Sequence, residues 1–304
     1  MNWEMTTPSE ITTVDAHVRV TATSTVSHRG RILLGRFRLG AVISRGGMGS
    51  VYMARDIHNG ARYAAKILRN DVTLIPRVRE RFLLEAQTMK GIRHPSVVKI
   101  EDVGETSGGE LFFIMEYVNG PPLRRLLRSG PLETDRMRLL TASIAEGLCA
   151  AHANGVIHRD LKPENILIPR DRQADSIVKI VDFGIARLLG TPRITTTRQV
   201  LGTPSYISPE QAMGSDVIDD KTDIYSLGVI MYEMLSGRLP FSGATPEELL
   251  ERHIRSVPDL LCAPQGCASL HPAMVQLVMS CLEKSPKNRP DNMVSVLKAL
   301  EEIF

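Results

Sequence analysis

The chain has 304 residues, of which 43% are hydrophobic and 23% are charged, and its 37 basic and 34 acidic residues leave a formal net charge of +3. This composition indicates a globular protein with one large domain or two lobes, and it excludes disordered and fibrous chains. The charge is too small to predict a nucleic-acid-binding protein, and no apolar run approaches the roughly 18 residues that a membrane-spanning helix needs.

The N-terminus and the cysteines both bear on location. The first five residues lack the basic start and apolar core of a signal peptide. The four cysteines show neither CxxC spacing nor paired histidines, which argues against a zinc site. We therefore expect a cytoplasmic protein with reduced thiols.

Residues 1–34 are rich in Ser and Thr and poor in large apolar groups, which predicts a mostly flexible N-terminal tail. Within it, alternating polar and apolar residues have the period of a half-buried strand; the apolar ones are Val14, Ala16, Val18, Val20 and Ala22. An alternative is therefore that this stretch docks on a neighbouring sheet.

Residues 35–115 predict a small antiparallel sheet with one helix. The β-type runs are short and are separated by glycine or by Asn59-Gly60, which is a hairpin turn signal. Apolar residues at helical spacing predict a helix over 77–90. The predicted strands cover 37–39, 50–54, 62–67, 97–103 and 111–115.

A breaker, Asn119-Gly120-Pro121-Pro122, lies within residues 116–122, which we expect to form a hinge. Residues 123–304 then predict a larger, mainly helical lobe. A β-rich first part and an α-rich second part make an α+β protein of two lobes with a ligand-binding cleft between them. The predicted helices cover 123–128, 133–153, 223–236, 246–256, 272–284 and 292–304, and short strands cover 166–168 and 178–181.

Two features of the first lobe suggest a polyphosphate ligand. The glycine-rich stretch 44–51 lies between two strands, where glycines let backbone N–H groups approach phosphates closely. Lys66 ends the next strand in an apolar setting, and a partly buried lysine needs a carboxylate partner. We expect that partner to be Glu85, on the helix that follows. A plain turn and a solvated surface lysine are the structural alternatives.

The most informative segment is 156–167, followed by Asp182. Three oxygen-bearing side chains, those of Asp160, Asn165 and Asp182, come from two tight loops at strand ends. Oxygen ligands suit Mg²⁺, which binds proteins through one or two carboxylates together with substrate phosphates. Asp160 can then orient and deprotonate a hydroxyl group, while Lys162 offsets charge on a transferred phosphoryl group.

These motifs resemble the protein kinase signature set, and more narrowly the bacterial eukaryotic-like (Hanks-type) serine/threonine kinases. The resemblance covers about residues 35–300 in the expected order. It implies the bilobal protein kinase fold, with a small antiparallel sheet lobe carrying one helix and a large helical lobe. The matching motifs are Gly46-Gly47-Met48-Gly49, the His158–Asn165 loop, Asp182-Phe183-Gly184, residues 202–211 and Asp223-Ile224-Tyr225-Ser226-Leu227-Gly228.

The resemblance implies a role for each motif residue. Asp160 is the catalytic base, Lys162 contacts the γ-phosphate, Lys66 contacts the α- and β-phosphates and is held by Glu85, and Asn165 and Asp182 hold Mg²⁺, with Mn²⁺ as an alternative. His158 stacks with Phe183 in the core, Asp223 anchors the catalytic loop, and Arg289 pairs with Glu210. The ATP-binding residues implied are Ile43, Gly46, Gly49, Val51, Ala64, Lys66, Met115, Glu116, Val118 and Leu167, with Ser44 in place of the usual first loop glycine.

The resemblance also suggests a switch in the activation segment. Arg159 stands where this family pairs an arginine with a phosphate on that segment, and Arg187 stands where a second basic residue is frequent. Phosphate on Thr195 or Thr197 could dock against these arginines and order the loop. A threonine-rich loop without a switch is the alternative.

The expected activity is transfer of the γ-phosphoryl group of ATP to Ser or Thr hydroxyls of protein substrates, with autophosphorylation of the activation loop. Lys162 and Thr203 favour Ser/Thr over Tyr as acceptor. A pseudokinase scaffold and a small-molecule kinase are the competing hypotheses. The resemblance also allows a homodimer through the small lobe, and a membrane-tethered location if the chain is part of a longer receptor kinase.

Overall fold

The protein is described by a computed structural model, which covers residues 28–47, 49–69, 76–170, 177–183, 204–262 and 270–303. Within these ranges the chain forms a six-stranded antiparallel sheet followed by a mainly helical part with a two-stranded ribbon. This is the two-lobed α+β architecture that the sequence predicts, so the predicted fold class is confirmed.

The strands of the small lobe follow the order β1-β2-β3-β4-β6-β5 across the sheet. The sheet extends into the segment predicted as a tail, because Leu33 pairs with Phe37 and His28 is buried with its ring against Tyr52. The predicted strand over 14–22 lies outside the described residues. The strands are β1 Ile32–Leu33, β2 Phe37–Gly46, β3 Gly49–Asp56, β4 Arg62–Leu68, β5 Ile100–Glu105 and β6 Leu111–Glu116.

The helix of the small lobe, α1 (Pro76–Gly91), packs its apolar face on the sheet. Phe82 is fully buried, and its ring lies 6.1 Å from that of Phe113 on β6. Two ion pairs tie α1 to β5: Arg79 contacts Glu105, and Lys90 Nζ lies 3.3 Å from an oxygen of Asp102. The helix that carries Glu85 is therefore held to the sheet near both ends.

The large lobe is built around helix α5 (Lys221–Ser236), in which every residue from 222 to 235 is buried. Gly228 permits its close contact with the next helical layer, since an added Cβ would lie 2.7 Å from the Cβ of Cys281. No helix among the described residues is long and apolar enough to cross a membrane. The remaining elements are α2 Leu123–Leu127, α3 Thr134–Ala153, α4 Pro209–Ala212, α6 Pro246–Arg255, α7 Pro272–Cys281, α8 Met293–Glu302, the short 3₁₀ helices Pro163–Asn165 and Pro286–Asn288, and the ribbon strands β7 Ile166–Leu167 and β8 Lys179–Ile180.

The hinge is hydrogen-bonded to the chain that leaves β7. Ile168 N donates to Pro121 O and Arg170 N donates to Asn119 O, both at 2.9 Å. This contact requires a glycine at position 120, because a Cβ there would lie 2.0 Å from Ile168 O. The breaker in the sequence is thus also the point where the hinge joins the large lobe.

A buried histidine of α6 lies in a polar cluster of the large lobe. Tyr225 Oη lies 2.9 Å from His253 Nδ1, and Lys284 Nζ donates to His253 O at 2.8 Å. The predicted helix over 272–284 ends at Cys281, which leaves Lys284 outside α7 and hydrogen-bonded to α6. Burial and the positive charge of Lys284 lower the pKa of His253 from its ordinary 6.5 to about 3.

This histidine is expected to make the folded state sensitive to acid. Because its pKa is lower in the folded chain, the unfolded chain binds the proton preferentially as the pH falls from about 6.5 towards about 3. We expect the free energy of unfolding to fall over that range by up to about 1.4 kcal/mol per pH unit from this group alone. Urea unfolding between pH 7 and pH 4 measures the slope.

The histidine contribution can be separated from that of the other titrating groups. A His253→Gln variant should lose this share of the slope, whereas His58→Gln, at an exposed position, should keep it. Equal slopes in the wild type and in His253→Gln would contradict the assignment.

Candidate active site

The catalytic loop brings three predicted site residues together. Lys162 Nζ donates to Asp160 Oδ2 at 2.7 Å, and Asn165 Nδ2 donates to the backbone oxygen of Asp160 at 2.8 Å and to Oδ2 at 3.3 Å. The short 3₁₀ helix Pro163–Asn165 turns the chain so that Asn165 returns to Asp160. One carboxylate, one ammonium group and one amide therefore converge at the mouth of this loop.

The catalytic loop is anchored by Asp223, a residue of helix α5. The carboxylate of Asp223 accepts the backbone N–H groups of His158 and Arg159 at 2.8 and 2.9 Å, and His152 Nε2 lies 2.8 Å from Oδ2. Arg159 has a φ of 61°, which lies in the left-handed region that residues other than glycine rarely adopt. The predicted anchoring role of Asp223 is confirmed.

His158 connects the loop to the strand that leads to Asp182. Its Nε2 donates to Val181 O at 3.0 Å, its Nδ1 accepts from Asp160 N at 3.2 Å, and its ring centroid lies 4.7 Å from that of Phe183. Burial lowers the pKa of His158, so both hydrogen bonds are made by the neutral ring. The predicted contact with Phe183 is confirmed, and the ring holds the backbone in place.

The side chain of Asp182 faces the small lobe. Lys66 Nζ lies 2.9 Å from Asp182 Oδ1, and only 14% of the Lys66 side chain is exposed. Asp182 also has a left-handed φ, of 57°, at the point where the chain leaves the ribbon. The carboxylate is therefore positioned by local backbone strain and by the lysine of β4.

The predicted partner of Lys66, Glu85, is a half-buried residue of α1. Burial lowers the pKa of Arg159, and the negative charge of Glu85 opposes this lowering. The Glu85 carboxylate therefore acts electrostatically on the catalytic loop. Its pairing with Lys66 stays a prediction.

The glycine-rich hairpin joins β2 to β3, with Gly46 paired to Gly49. Gly46 and Gly49 are glycines for different physical reasons. An added Cβ at Gly49 would lie 2.2 Å from Ile67 O on the neighbouring strand, whereas at Gly46 the nearest atom outside the adjacent residues is Gly49 O at 3.9 Å. Gly49 is therefore required by the sheet itself, while Gly46 is free to serve a ligand.

Alanine substitutions at Gly49 and Gly46 distinguish the structural requirement for glycine from the requirement set by a ligand. Gly49→Ala should destabilise the domain by about 1–3 kcal/mol, because the methyl group forces β3 away from β4. Gly46→Ala should leave the melting temperature nearly unchanged and raise KM for ATP several-fold, because it obstructs close approach of the phosphates. Thermal unfolding and ATP titration measure both. An equal loss of stability in the two variants would contradict this distinction.

The predicted adenine site lies where the sheet meets the hinge. Ala64 pairs with Met115 across β4 and β6, and Leu167 forms a bridge to Pro122.

The other predicted adenine-site residues lie on β2, on β3 and in the hinge. Ile43 lies on an irregular, exposed part of β2. Val51 pairs with Lys66 on β4, Glu116 ends β6, and Val118 O accepts from Gly120 N in the hinge. Binding of adenine by these residues stays a prediction.

Of the four predicted regulatory residues, the structure describes Arg159. Its backbone oxygen accepts a hydrogen bond from Gln211 Nε2 at 2.8 Å, which ties the loop to α4. Thr195, Thr197 and Arg187 lie outside the described residues, as does Thr203. The proposed switch therefore stays a prediction.

Arg289 and Glu210 form a buried, two-pronged ion pair. Both guanidinium nitrogens Nη1 and Nη2 donate at 2.8 Å, one to each carboxylate oxygen, and Thr222 Oγ1 donates to Oε1 at 2.7 Å. Burial opposes ionisation of Glu210, but its contacts with Arg289 hold the pKa below the ordinary value. The predicted pairing is confirmed, and it fixes the segment that ends in α4.

A second charged cluster beside the catalytic loop was not predicted. Arg124 of α2 donates to Glu164 at 2.8 Å and to Glu233 at 2.6 Å, and it also contacts Tyr206, which donates to Glu233. Burial and the neighbouring Glu233 raise the pKa of Tyr206. The partners lie 40, 109 and 82 residues from Arg124 in sequence, so no local pattern signals this cluster.

The sequence is similar to known proteins over most of its length. The Protein kinase domain family matches residues 37–300. The serine/threonine-protein kinase pkn2 of Myxococcus xanthus is 40% identical over 272 residues, which cover 88% of this chain and 32% of the relative. The serine/threonine-protein kinase PknB of Mycobacterium leprae is 39% identical over 262 residues, which cover 84% of this chain and 41% of the relative. The chain thus spans less than half the length of these curated relatives.

A solved structure shares the fold. The crystal structure of the Mycobacterium tuberculosis PknI kinase domain, solved as a point mutant, aligns with a TM-score of 0.67 and 23% identity, covering 92% of this chain and 99% of the solved chain. At this identity the likeness concerns the fold alone.

Proposed function

Because the chain belongs to the protein kinase family and contains a serine/threonine kinase domain of the bacterial type, we propose that this site transfers the γ-phosphoryl group of ATP to serine and threonine hydroxyls of proteins. The observation that carries the proposal is the convergence of Asp160, Lys162 and Asn165 on one anchored loop. Asp182, paired with Lys66, supplies the second carboxylate from the adjoining strand.

The chain's own residues divide the work of the reaction. Asp160 accepts the proton of the acceptor hydroxyl, and Lys162, at 2.7 Å from its carboxylate, offsets the charge on the transferred group. Lys66 binds the α- and β-phosphates, and the glycine-rich hairpin covers them. The positioning of these groups, with electrostatic stabilisation, provides most of the catalysis in phosphoryl transfer.

The donor set fits a hard divalent cation. Asn165 uses its amide nitrogen for Asp160, which leaves its amide oxygen as a candidate ligand. Its backbone oxygen accepts from Val181 N at 2.9 Å, so Asn165 pairs with the residue that precedes Asp182, the candidate carboxylate ligand. Amide and carboxylate oxygens are the ligands that Mg²⁺ prefers, and the same donors accept Mn²⁺. When bound, the cation neutralises charge on the phosphates. We propose Mg²⁺ as the working metal.

We also propose that activity is regulated through phosphorylation of Thr195 or Thr197, read by Arg159 and Arg187. The position of Arg159 supports this, because it belongs to the catalytic loop and its backbone oxygen accepts a hydrogen bond from Gln211 of α4, so a phosphate bound to its side chain would connect the activation segment to that loop. A Thr195→Ala/Thr197→Ala variant that keeps full activity after incubation with ATP would contradict it. Pairing of two small lobes and tethering to a membrane stay proposals for the whole protein.

One assay separates the proposed function from its competitors. The purified chain is incubated with Mg-ATP and, in separate reactions, a generic protein acceptor, an aminoglycoside or choline, and ATP binding is titrated in parallel. We expect binding together with transfer to protein. Binding without transfer would indicate a pseudokinase, and transfer only to an aminoglycoside or choline would indicate a small-molecule kinase.

A further inference from the structure

The side chain of Glu116 lies at the junction of the two lobes. Glu116 is the last residue of β6, at the start of the hinge. Its Oε1 accepts two hydrogen bonds, from Lys99 N at 2.8 Å and from Lys179 Nζ at 2.7 Å. The side chains of Glu116 and Lys179 are 30% and 18% exposed, so this ion pair is largely shielded from water. A shielded pair of opposite charges resists separation more than a surface pair does.

Lys179 connects this junction to both ends of the proposed nucleotide site. It lies on β8 three residues before Asp182, and it pairs with Leu167 on β7. Leu167 is a predicted residue of the adenine site, and Asp182 is a predicted metal ligand. A shift of Lys179 relative to the hinge would therefore change the distance between the adenine end and the phosphate end.

The backbone around the pair transmits its position. Ile180 N donates to Ser96 O at 2.7 Å and Val98 N donates to Ile180 O at 2.9 Å, so the segment 96–98 flanks β8. Glu116 N donates to Lys99 O at 3.0 Å, so the same segment also contacts the hinge. The Glu116 carboxylate thus connects the hinge, the 96–99 segment and β8 at one point.

We propose that Glu116 and Lys179 form a positioning pair that holds the hinge at the correct distance from Asp182 and thereby sets the affinity for ATP. The pair acts through backbone elements and does not touch the reacting atoms. The proposal rests on the proposed ATP site, and it adds a positioning role for the side chain of Glu116, one of the predicted ATP-binding residues.

The test is a double-mutant cycle on ATP affinity. Glu116→Gln keeps the shape and an acceptor for the Lys99 amide, and Lys179→Met keeps the aliphatic stem without the charge. Each should raise KM and Kd for ATP about fivefold while kcat stays within about twofold. The double variant should bind ATP no more weakly than either single variant, because each single substitution already removes the interaction between Glu116 and Lys179.

Lys99→Met provides the matched control. Its ammonium group pairs with Glu101 on the same face, while its contribution to Glu116 comes from the backbone N–H, which the substitution keeps. We expect its ATP affinity to equal that of the wild type. Additive effects in the double variant, an unchanged affinity in both single variants, or an equal loss in Lys99→Met would each overturn the proposal.

The readouts also keep this proposal distinct from the proposed function. ATP affinity is measured by direct titration, so it does not depend on phosphoryl transfer. A wild type that binds ATP without transferring phosphate would contradict the proposed function, and the cycle would still decide on the positioning pair. If all variants transferred phosphate normally and bound ATP with the same affinity, only the positioning pair would be contradicted.

Discussion

Replacing Asp160 by asparagine is expected to lower kcat by roughly 10²–10⁴-fold, because the acceptor hydroxyl then loses its base. The substitution keeps the shape of the side chain and an oxygen that can face Lys162 and Asn165. ATP affinity should therefore change little. Steady-state phosphorylation of a protein acceptor measures kcat, and nucleotide titration measures the affinity.

Asp216→Asn is the control for this experiment, since Asp216 is an exposed carboxylate of the large lobe. It should retain wild-type kcat and wild-type affinity. If Asp160→Asn kept more than about a tenth of the activity, the carboxylate would not be the base, since general-base groups contribute far more than that.

Replacing Arg289 by methionine is expected to destabilise the protein by about 3–5 kcal/mol, because it leaves a buried carboxylate without its partner. The Arg289 side chain is fully buried and that of Glu210 is 7% exposed. Since Glu210 lies in α4 next to Gln211, which contacts Arg159, activity should fall as well. Urea unfolding monitored by circular dichroism measures the loss of stability.

The pair also permits a cycle with a surface control. Adding Glu210→Gln to Arg289→Met should recover part of the loss, since no uncompensated charge then stays buried. Arg255→Met removes an exposed pair with Glu251, 3.8 Å apart, and should change stability by less than about 0.5 kcal/mol. A loss below about 1 kcal/mol in Arg289→Met would contradict the buried-pair account.

Contiguous motifs made the catalytic loop predictable. Asp160, Lys162 and Asn165 lie within one short segment, so their convergence needs only one tight turn, which Pro163–Asn165 forms. The pairing of Arg289 with Glu210 spans 79 residues, and it was predicted through the family resemblance. Glycine patterns were only partly informative, because the sequence cannot distinguish Gly49, which the sheet requires, from Gly46, which leaves room for a ligand.

Other features depend on tertiary contacts that no local pattern reports. Strand β1 has only two residues, and its pairing with Phe37 and Arg38 makes it a strand despite the polar tail before it. The end of α7 reflects the contact between Lys284 and α6. The clusters around Arg124 and Glu116 each join side chains from separate elements, so their existence follows from the packing of the lobes.

The most direct test of the central claim is to identify the phosphorylated amino acids after transfer from labelled ATP to a protein. If Asp160, Asn165 and Asp182 act as one phosphoryl-transfer site, acid hydrolysis should release phosphoserine and phosphothreonine, and the Asp182→Asn protein should give neither. Label found only on tyrosine, or an undiminished yield from the Asp182→Asn protein, would contradict the account.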